Sequence, residues 1–453
     1  MAIPKKTLLA LALLSGGVGA LAVFPPELLR VGASYSAKMV CSNVFLANRK
    51  VDDIVRDDLQ APGHPLLKLI RVQVDHSQGV VRAGFLGFLG KGLAVYRTGT
   101  GCAAVPDGNL HAAAQVTAKL TDLPMPNPAL AWPTGSHAEP VASVEQVISQ
   151  STLHGPGARA VVVIHQGKLI AQYYGPGFSA STRLLGWSMT KSVTAALIGI
   201  RISDGELFLD RASFWPSPSA GKEQISLGDL LSMQDGLLFN EEYGAVSDVT
   251  RMLYLEPDMA AFMKARPVAH PPRTVWNYSS GTTVFLSQLW QQSVGSGSLA
   301  FPQQRLFAPL GMSSAVLEAD ARGTLVGSSY LYATAQDWAR FGQFLLQDGV
   351  WNGQRILPAG YVQHITAATE LSKGQYGRGQ IWRVGPGRDD DPTKNPDAEN
   401  GLPSDTFWLA GHDGQTIAVM PSKQLVVVRM GLTPSALRYR PQAMIAAILK
   451  ALP

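Results

Sequence analysis

Two cysteines in 453 residues exclude a disulfide-dense scaffold and a cysteine-cluster zinc site. Charge is also scarce: Asp, Glu, Lys and Arg make up 16% of the chain, and 38 basic against 33 acidic residues leave a net charge of +5. No Lys/Arg block stands out, so there is no nucleic-acid footprint. A Walker-type loop, an HExxH pair and an internal repeat are all missing. What is present is 46% hydrophobic residues, the opposite of a disordered composition. The length suits one large domain with an extension, or about three smaller units.

Residues 1–24 read as a targeting segment. Lys5 and Lys6 precede an uncharged apolar stretch from Leu8 to Phe24, and Ala20-Leu21-Ala22 offers a small-residue cleavage pattern. The stretch suits either a cleaved signal peptide or a retained membrane anchor, since a span tolerates about 17 residues. Both readings imply export, to the periplasm or to the outer face of the inner membrane. In such an oxidising compartment Cys41 and Cys102 could pair.

From about 25 to 131 the pattern is short and strand-like. Leu69 to Val74 and Val80 to Phe85 flank a turn at Asp75–Gly79, which predicts a hairpin, and Gly92–Tyr96 and Gly101–Val105 predict two more strands. Five prolines between Thr121 and Pro140 make a stiff linker. The expected division is therefore an N-terminal extension over 25–135 and a main domain over 136–453. In the latter, strands are expected at Ala160–His165 and Lys168–Tyr174, and again at Thr416–Met420 and Leu425–Met430. Helical spacing begins at Met189, with Val193, Leu197 and Ile200 at i, i+4 and i+7. Further helices are expected at 227–233, 256–265, 282–293, 335–347, 358–368 and 440–452. Strands at both ends with helices between predict one sheet assembled from distant segments.

Two motif-like stretches do not hold. Gly155-Pro156-Gly157-Ala158-Arg159-Ala160 has dinucleotide-type glycine spacing but precedes a strand and opens no helix. Asp389-Asp390-Asp391 is followed by carboxylates without EF-hand spacing and reads as a solvated loop.

Ser188-Met189-Thr190-Lys191 is different. Serine and lysine three apart at a helix start share one face. A serine hydroxyl needs a base to become a nucleophile, and a buried lysine can be that base. Downstream, Trp276-Asn277-Tyr278-Ser279-Ser280-Gly281 offers a phenol as a second proton carrier. Gly411-His412-Asp413-Gly414-Gln415 opens a strand where an amide can point at an oxyanion.

In this order the three elements resemble the S-x-x-K, Y-x-N/S and K-T-G/H-x-G motifs of the serine β-lactamase and penicillin-binding-protein superfamily, in its class C-like branch. Ile225–Met233, Pro309–Met312 and Asp337–Arg340 share that character. Phe239-Asn240-Glu241-Glu242-Tyr243 resembles the nylon-oligomer (6-aminohexanoate-dimer) hydrolases and β-lactamase-fold esterases. The resemblance implies an α/β fold of the β-lactamase/transpeptidase type: an antiparallel sheet flanked by helices plus an all-helical region. It implies Ser188 as the acylated nucleophile, Lys191 and Tyr278 as proton carriers, and the amides of Ser188 and Gln415 as the oxyanion hole. Ser280, His412 and Gly414 are then substrate-binding. Met233-Gln234-Asp235-Gly236 and Pro272-Arg273 depart from the family's Ser-Gly and Pro-Gly pairs, which bears on pocket shape.

The expected activity is hydrolysis of a small ester or amide without metal or organic cofactor. The alternative is a D,D-peptidase-like or non-catalytic protein that binds peptidoglycan or β-lactams. His412 and Asp413 stand where the resemblance implies the lysine and threonine of β-lactamases, so carboxylate-bearing β-lactams are expected to be poor substrates. The oligomeric state is left open.

Overall fold

The computed structural model describes residues 23–60, 63–215, 221–387, 391 and 394–453. The apolar stretch Leu8–Phe24 therefore lies outside the described residues except for its last two, as do Asp389 and Asp390. Among the described residues no helix is long and apolar enough to cross a membrane.

Near the start of the described residues is a 19-residue helix, Glu27–Phe45, where a strand-like region was expected. The pattern misleads because Ser34, Ser36, Lys38, Ser42 and Asn43 are all buried. With polar side chains turned inward, no polar stripe marks the helix. It lies across a four-stranded antiparallel sheet, β1 (Ile70–Asp75), β2 (Val80–Phe85), β3 (Leu89–Arg97) and β4 (Gly101–Ala104), paired in sequence order. β1 and β2 form the expected hairpin, with Asp75 opposite Val80. A disulfide joins Cys41 on the helix to Cys102 on β4.

This N-terminal layer packs into the same apolar core as the remainder. Lys38 Nζ donates to Glu318 Oε2 at 2.6 Å, and Glu318 Oε1 accepts from the Cys102 amide at 2.6 Å. Arg97 donates to the carbonyls of Ala319 and Asp320 at 2.6 and 2.8 Å. Asp58 is held by Arg49 and Arg159. Polar clamps thus fix the layer in register on its apolar contact.

The main sheet is built from β5 (Ala158–His165), β6 (Lys168–Tyr174), β12 (Phe407–Gly411), β13 (Gln415–Met420) and β14 (Leu425–Gly431), in the order β12-β13-β14-β5-β6, all antiparallel. β12 is an addition to the strands expected from sequence. Between the two ends lie β7 (Leu184–Leu185), β8 (Val316–Leu317) and β9 (Leu331–Ala333) in a small sheet, and the hairpin of β10 (Val350–Trp351) and β11 (Gln354–Arg355). The main sheet is buried on both faces. Along β5, Ala160, Val162 and Ile164 join one core while Val161 and Val163 join the other, with Ile148, Met444 and Ile448. This period of two explains why β5 and β14 read as unbroken apolar runs.

Most of the remaining helices come from the middle of the chain. Those at Leu227–Leu231, Met259–Ala265, Ser280–Val294, Ala335–Leu346, Tyr361–Thr366 and Gln442–Ala451 correspond to expected ones, and Asp248–Leu255 is a further one. Thr190–Ser203 carries Val193, Leu197 and Ile200, all 0% exposed, and each contributes roughly 1.5–3 kcal/mol of burial. Gln380 pins three helices: it accepts from Thr283 Oγ1 at 2.6 Å, donates to the Leu231 carbonyl at 2.8 Å, and its own carbonyl accepts from Ser192 Oγ at 2.8 Å.

Candidate active site

Ser188 sits in one 3-10 turn, Trp187–Met189, that runs directly into the helix Thr190–Ser203. Trp187 holds φ at +48°, a left-handed conformation that a bulky side chain keeps only where its surroundings impose it. Its ring meets His412 edge-on at 5.6 Å. The bend presents Ser188 at a helix N-terminus, where unpaired amides favour a developing negative charge.

Lys191 lies one turn on and is 1% exposed. Its Nζ donates to Ser188 Oγ at 3.1 Å, to Ser280 Oγ at 2.8 Å and to the Ser328 carbonyl at 3.2 Å. Burial pushes the lysine down to about 8, against the opposing pull of the Glu241 carboxylate. A share of the amine is therefore free near neutral pH and within reach of the Ser188 proton.

Ser280 begins the helix Ser280–Val294, whose cap is the Ser279 hydroxyl accepting from the Thr282 amide at 2.9 Å. The cap fixes the helix start and hence the position of Ser280. Expected at the substrate, Ser280 is fully covered and passes the lysine's contact onward. Its Oγ donates to Glu241 Oε1 at 2.5 Å, and its amide donates to Glu241 Oε2 at 2.7 Å. Burial raises the Glu241 pKa, while Lys191 lowers it. Sequence reasoning gave Glu241 no role, because its partner lies 39 residues away and nothing local marks it.

Tyr278 reaches the site from the loop before that helix. Lys191 Nζ stands 4.8 Å from the centre of its ring. The ring stacks on Trp382 at 5.2 Å and meets Tyr376 edge-on at 5.8 Å. This aromatic packing fixes the direction of the phenol.

The third element closes the site from β12. A Cβ on Gly411 would stand 2.2 Å from the Gly186 carbonyl oxygen and 3.2 Å from Trp187 Cβ. Only glycine lets this strand end lie beside the turn that carries Ser188. Gly414 has φ +84°, and a Cβ there would be 2.8 Å from Arg429 Nη1, so the protein's own arginine requires this glycine. Gln415 is buried, and its side chain donates to the His412 and Asp413 carbonyls at 3.2 Å each and accepts from the Gly431 amide at 2.8 Å. These bonds tie the 412–414 loop to β14. The His412 ring stacks on Tyr243 at 4.6 Å, and its Nε2 lies 3.5 Å from Asp413 Oδ1.

Ser188, Lys191 and Ser280 are thus in direct contact, Tyr278 borders Lys191, and the His412–Gln415 loop adjoins Trp187. Among the described residues no group of three or more His, Cys, Asp or Glu side chains is placed to hold a metal ion.

Comparison with known proteins bears on the family and the fold. The Beta-lactamase family model matches residues 144–443. The chain is 24% identical over 254 residues to the 6-aminohexanoate-dimer hydrolase of Paenarthrobacter ureafaciens, covering 51% of this chain and 64% of that one. The match therefore spans less than two thirds of that relative's length. Among solved structures, a novel penicillin-binding protein homolog from Caulobacter crescentus superposes with a TM-score of 0.53 at 17% identity, over 69% of this chain and 97% of that one. A family VIII carboxylesterase superposes with a TM-score of 0.52 at 18% identity, over the same shares of the two chains. At such identities the likeness shows the fold alone. The family match decides the matter: the chain belongs to the Beta-lactamase family, whose members typically hydrolyse their substrates through a serine acyl-enzyme.

Proposed function

We propose that the protein is a serine hydrolase that cleaves an ester or amide through an acyl-Ser188 intermediate. The observation that carries this reading is the 3.1 Å contact between Ser188 Oγ and a buried lysine whose pKa burial lowers to about 8. The neutral amine of Lys191 takes the Ser188 proton as Oγ bonds to the substrate carbonyl carbon. The Ser188 and Gln415 amides receive the resulting oxyanion. Collapse of that intermediate breaks the bond to the leaving group, which takes a proton relayed through Tyr278. Water then adds to the acyl carbon, giving its proton to the same carriers, and the acid leaves as Ser188 is reprotonated.

A protein that was only acylated by β-lactams would still need the Ser188 hydroxyl and its lysine, but it could lose the Tyr278 phenol without penalty. The Cys41–Cys102 bond supports a place in an oxidising compartment, and so export.

The test is the time course of nitrophenol release from a nitrophenyl acetate. The reading predicts a burst of about one equivalent in Tyr278→Phe, followed by turnover slowed ~10²–10⁴-fold, the range for loss of a general acid–base group. Wild-type turnover in Tyr278→Phe would remove the phenol from the scheme.

A further inference from the structure

A cavity of about 290 Å³ lies between the N-terminal layer and the family fold, with Trp187 in its wall. One wall comes from the helix Glu27–Phe45 and the segment after it, through Val31, Leu67 and Phe85. The facing wall includes Trp187, Tyr243 and His412, an aromatic trio in which His412 touches both other rings and Trp187 is the residue before Ser188. Leu28 and Leu66, each 37% exposed, stand at its rim. Its two carboxylates are Asp58 and Asp413, and Asp58 is already engaged by Arg49 and Arg159.

We propose that this chamber binds the hydrocarbon tail of the substrate's acyl group, making medium-chain esters or amides the substrate class. The inference rests on the reading of Ser188 as nucleophile. Trp187 joins the two parts: its side chain lines the chamber, and its backbone runs directly into the nucleophile. An acyl carbon at Ser188 would therefore have its tail directed past the trio into the chamber. The volume is about twice the ~150 Å³ of an apolar cavity that takes one benzene, so it suits roughly ten to twelve carbon atoms. Most of the wall is uncharged, and an alkyl chain demands no hydrogen bond from it. The N-terminal layer, held by the Lys38–Glu318 and Arg97 clamps, thereby completes a substrate pocket.

The experiment measures kcat/KM for nitrophenyl esters from acetate to palmitate with the full chain. The expected profile rises about threefold to fourfold per methylene beyond butyrate, as each CH₂ leaves water, and falls past roughly twelve carbons. Val31→Trp, which fills the chamber, should lower the decanoate-to-acetate ratio by at least about tenfold. Leu66→Glu, at the exposed rim, should lower the same ratio without threatening the fold. A flat profile from acetate to dodecanoate, or wild-type ratios in both variants, overturns the chamber while leaving the acyl-serine reading intact. Absence of acetate turnover with no acyl adduct on Ser188 overturns both.

Discussion

Glu241 and Lys191 are joined through one hydroxyl: Ser280 Oγ accepts from the lysine at 2.8 Å and donates to the carboxylate at 2.5 Å. The negative charge raises the lysine's proton affinity, and burial lowers it further than the charge restores, leaving a value of about 8. The charge therefore sets where the base becomes available.

The sign of the pH dependence follows. Below about 8 Lys191 is mostly protonated and cannot take the Ser188 proton, so kcat/KM for an uncharged ester should rise through a midpoint near 8. Glu241→Gln removes the charge that favours the ammonium, and the midpoint should move to lower pH even as the maximum rate falls. A pH–rate profile of both proteins checks this. An unmoved midpoint would show that Glu241 does not act on the lysine.

A second prediction concerns stability. Glu318 is 0% exposed and accepts from Lys38, from Ser42 at 2.9 Å and from the Cys102 amide at 2.6 Å. Burial lowers the Lys38 pKa despite its partner, so an unpaired ammonium here is costly. Glu318→Ala should cost about 3–5 kcal/mol and lower the thermal midpoint. Lys38→Met with Glu318→Gln should recover much of that loss, because no buried charge remains. Differential scanning calorimetry of the three proteins decides it; an unchanged midpoint in Glu318→Ala would mean that this clamp does not hold the layer.

The third prediction concerns carboxylate-bearing substrates. Asp413 lies 3.5 Å from His412, and the proposed reading puts it where a substrate carboxylate would approach. Like charges ~4 Å apart repel by about 4 kcal/mol at an effective dielectric of 20. A nitrophenyl butyrate should therefore be turned over with higher kcat/KM than a chromogenic cephalosporin. Asp413→Asn should narrow that gap by about tenfold, a fraction of the full repulsion after solvent screening. A cephalosporin rate equal to the ester rate in the unaltered protein would contradict this.

How far the sequence could be read follows from where each signal resides. Ser188 and Lys191 were legible because their relation is local: three residues apart at a helix start. Tyr278 was legible because its motif is short and ordered after them. Strands β5 and β14 announced themselves as apolar runs. The helix Glu27–Phe45 did not, because its buried Lys38 and Ser42 answer to Glu318, 280 and 276 residues away. Glu241 was hidden for the same reason, and the chamber beside Trp187 exists only when the N-terminal layer is docked. The paired cysteines lay between these cases: compartment reasoning raised the bond, while its geometry came from the helix and β4.

The most direct test of the central claim is intact-protein mass spectrometry after treatment with a serine-directed fluorophosphonate. The account predicts one adduct per chain on the unaltered protein, mapped to Ser188, and none on Ser188→Ala or on Lys191→Ala, with both variants folded by circular dichroism. An adduct on Ser188→Ala, or labelling of Lys191→Ala at the unaltered rate, would contradict it.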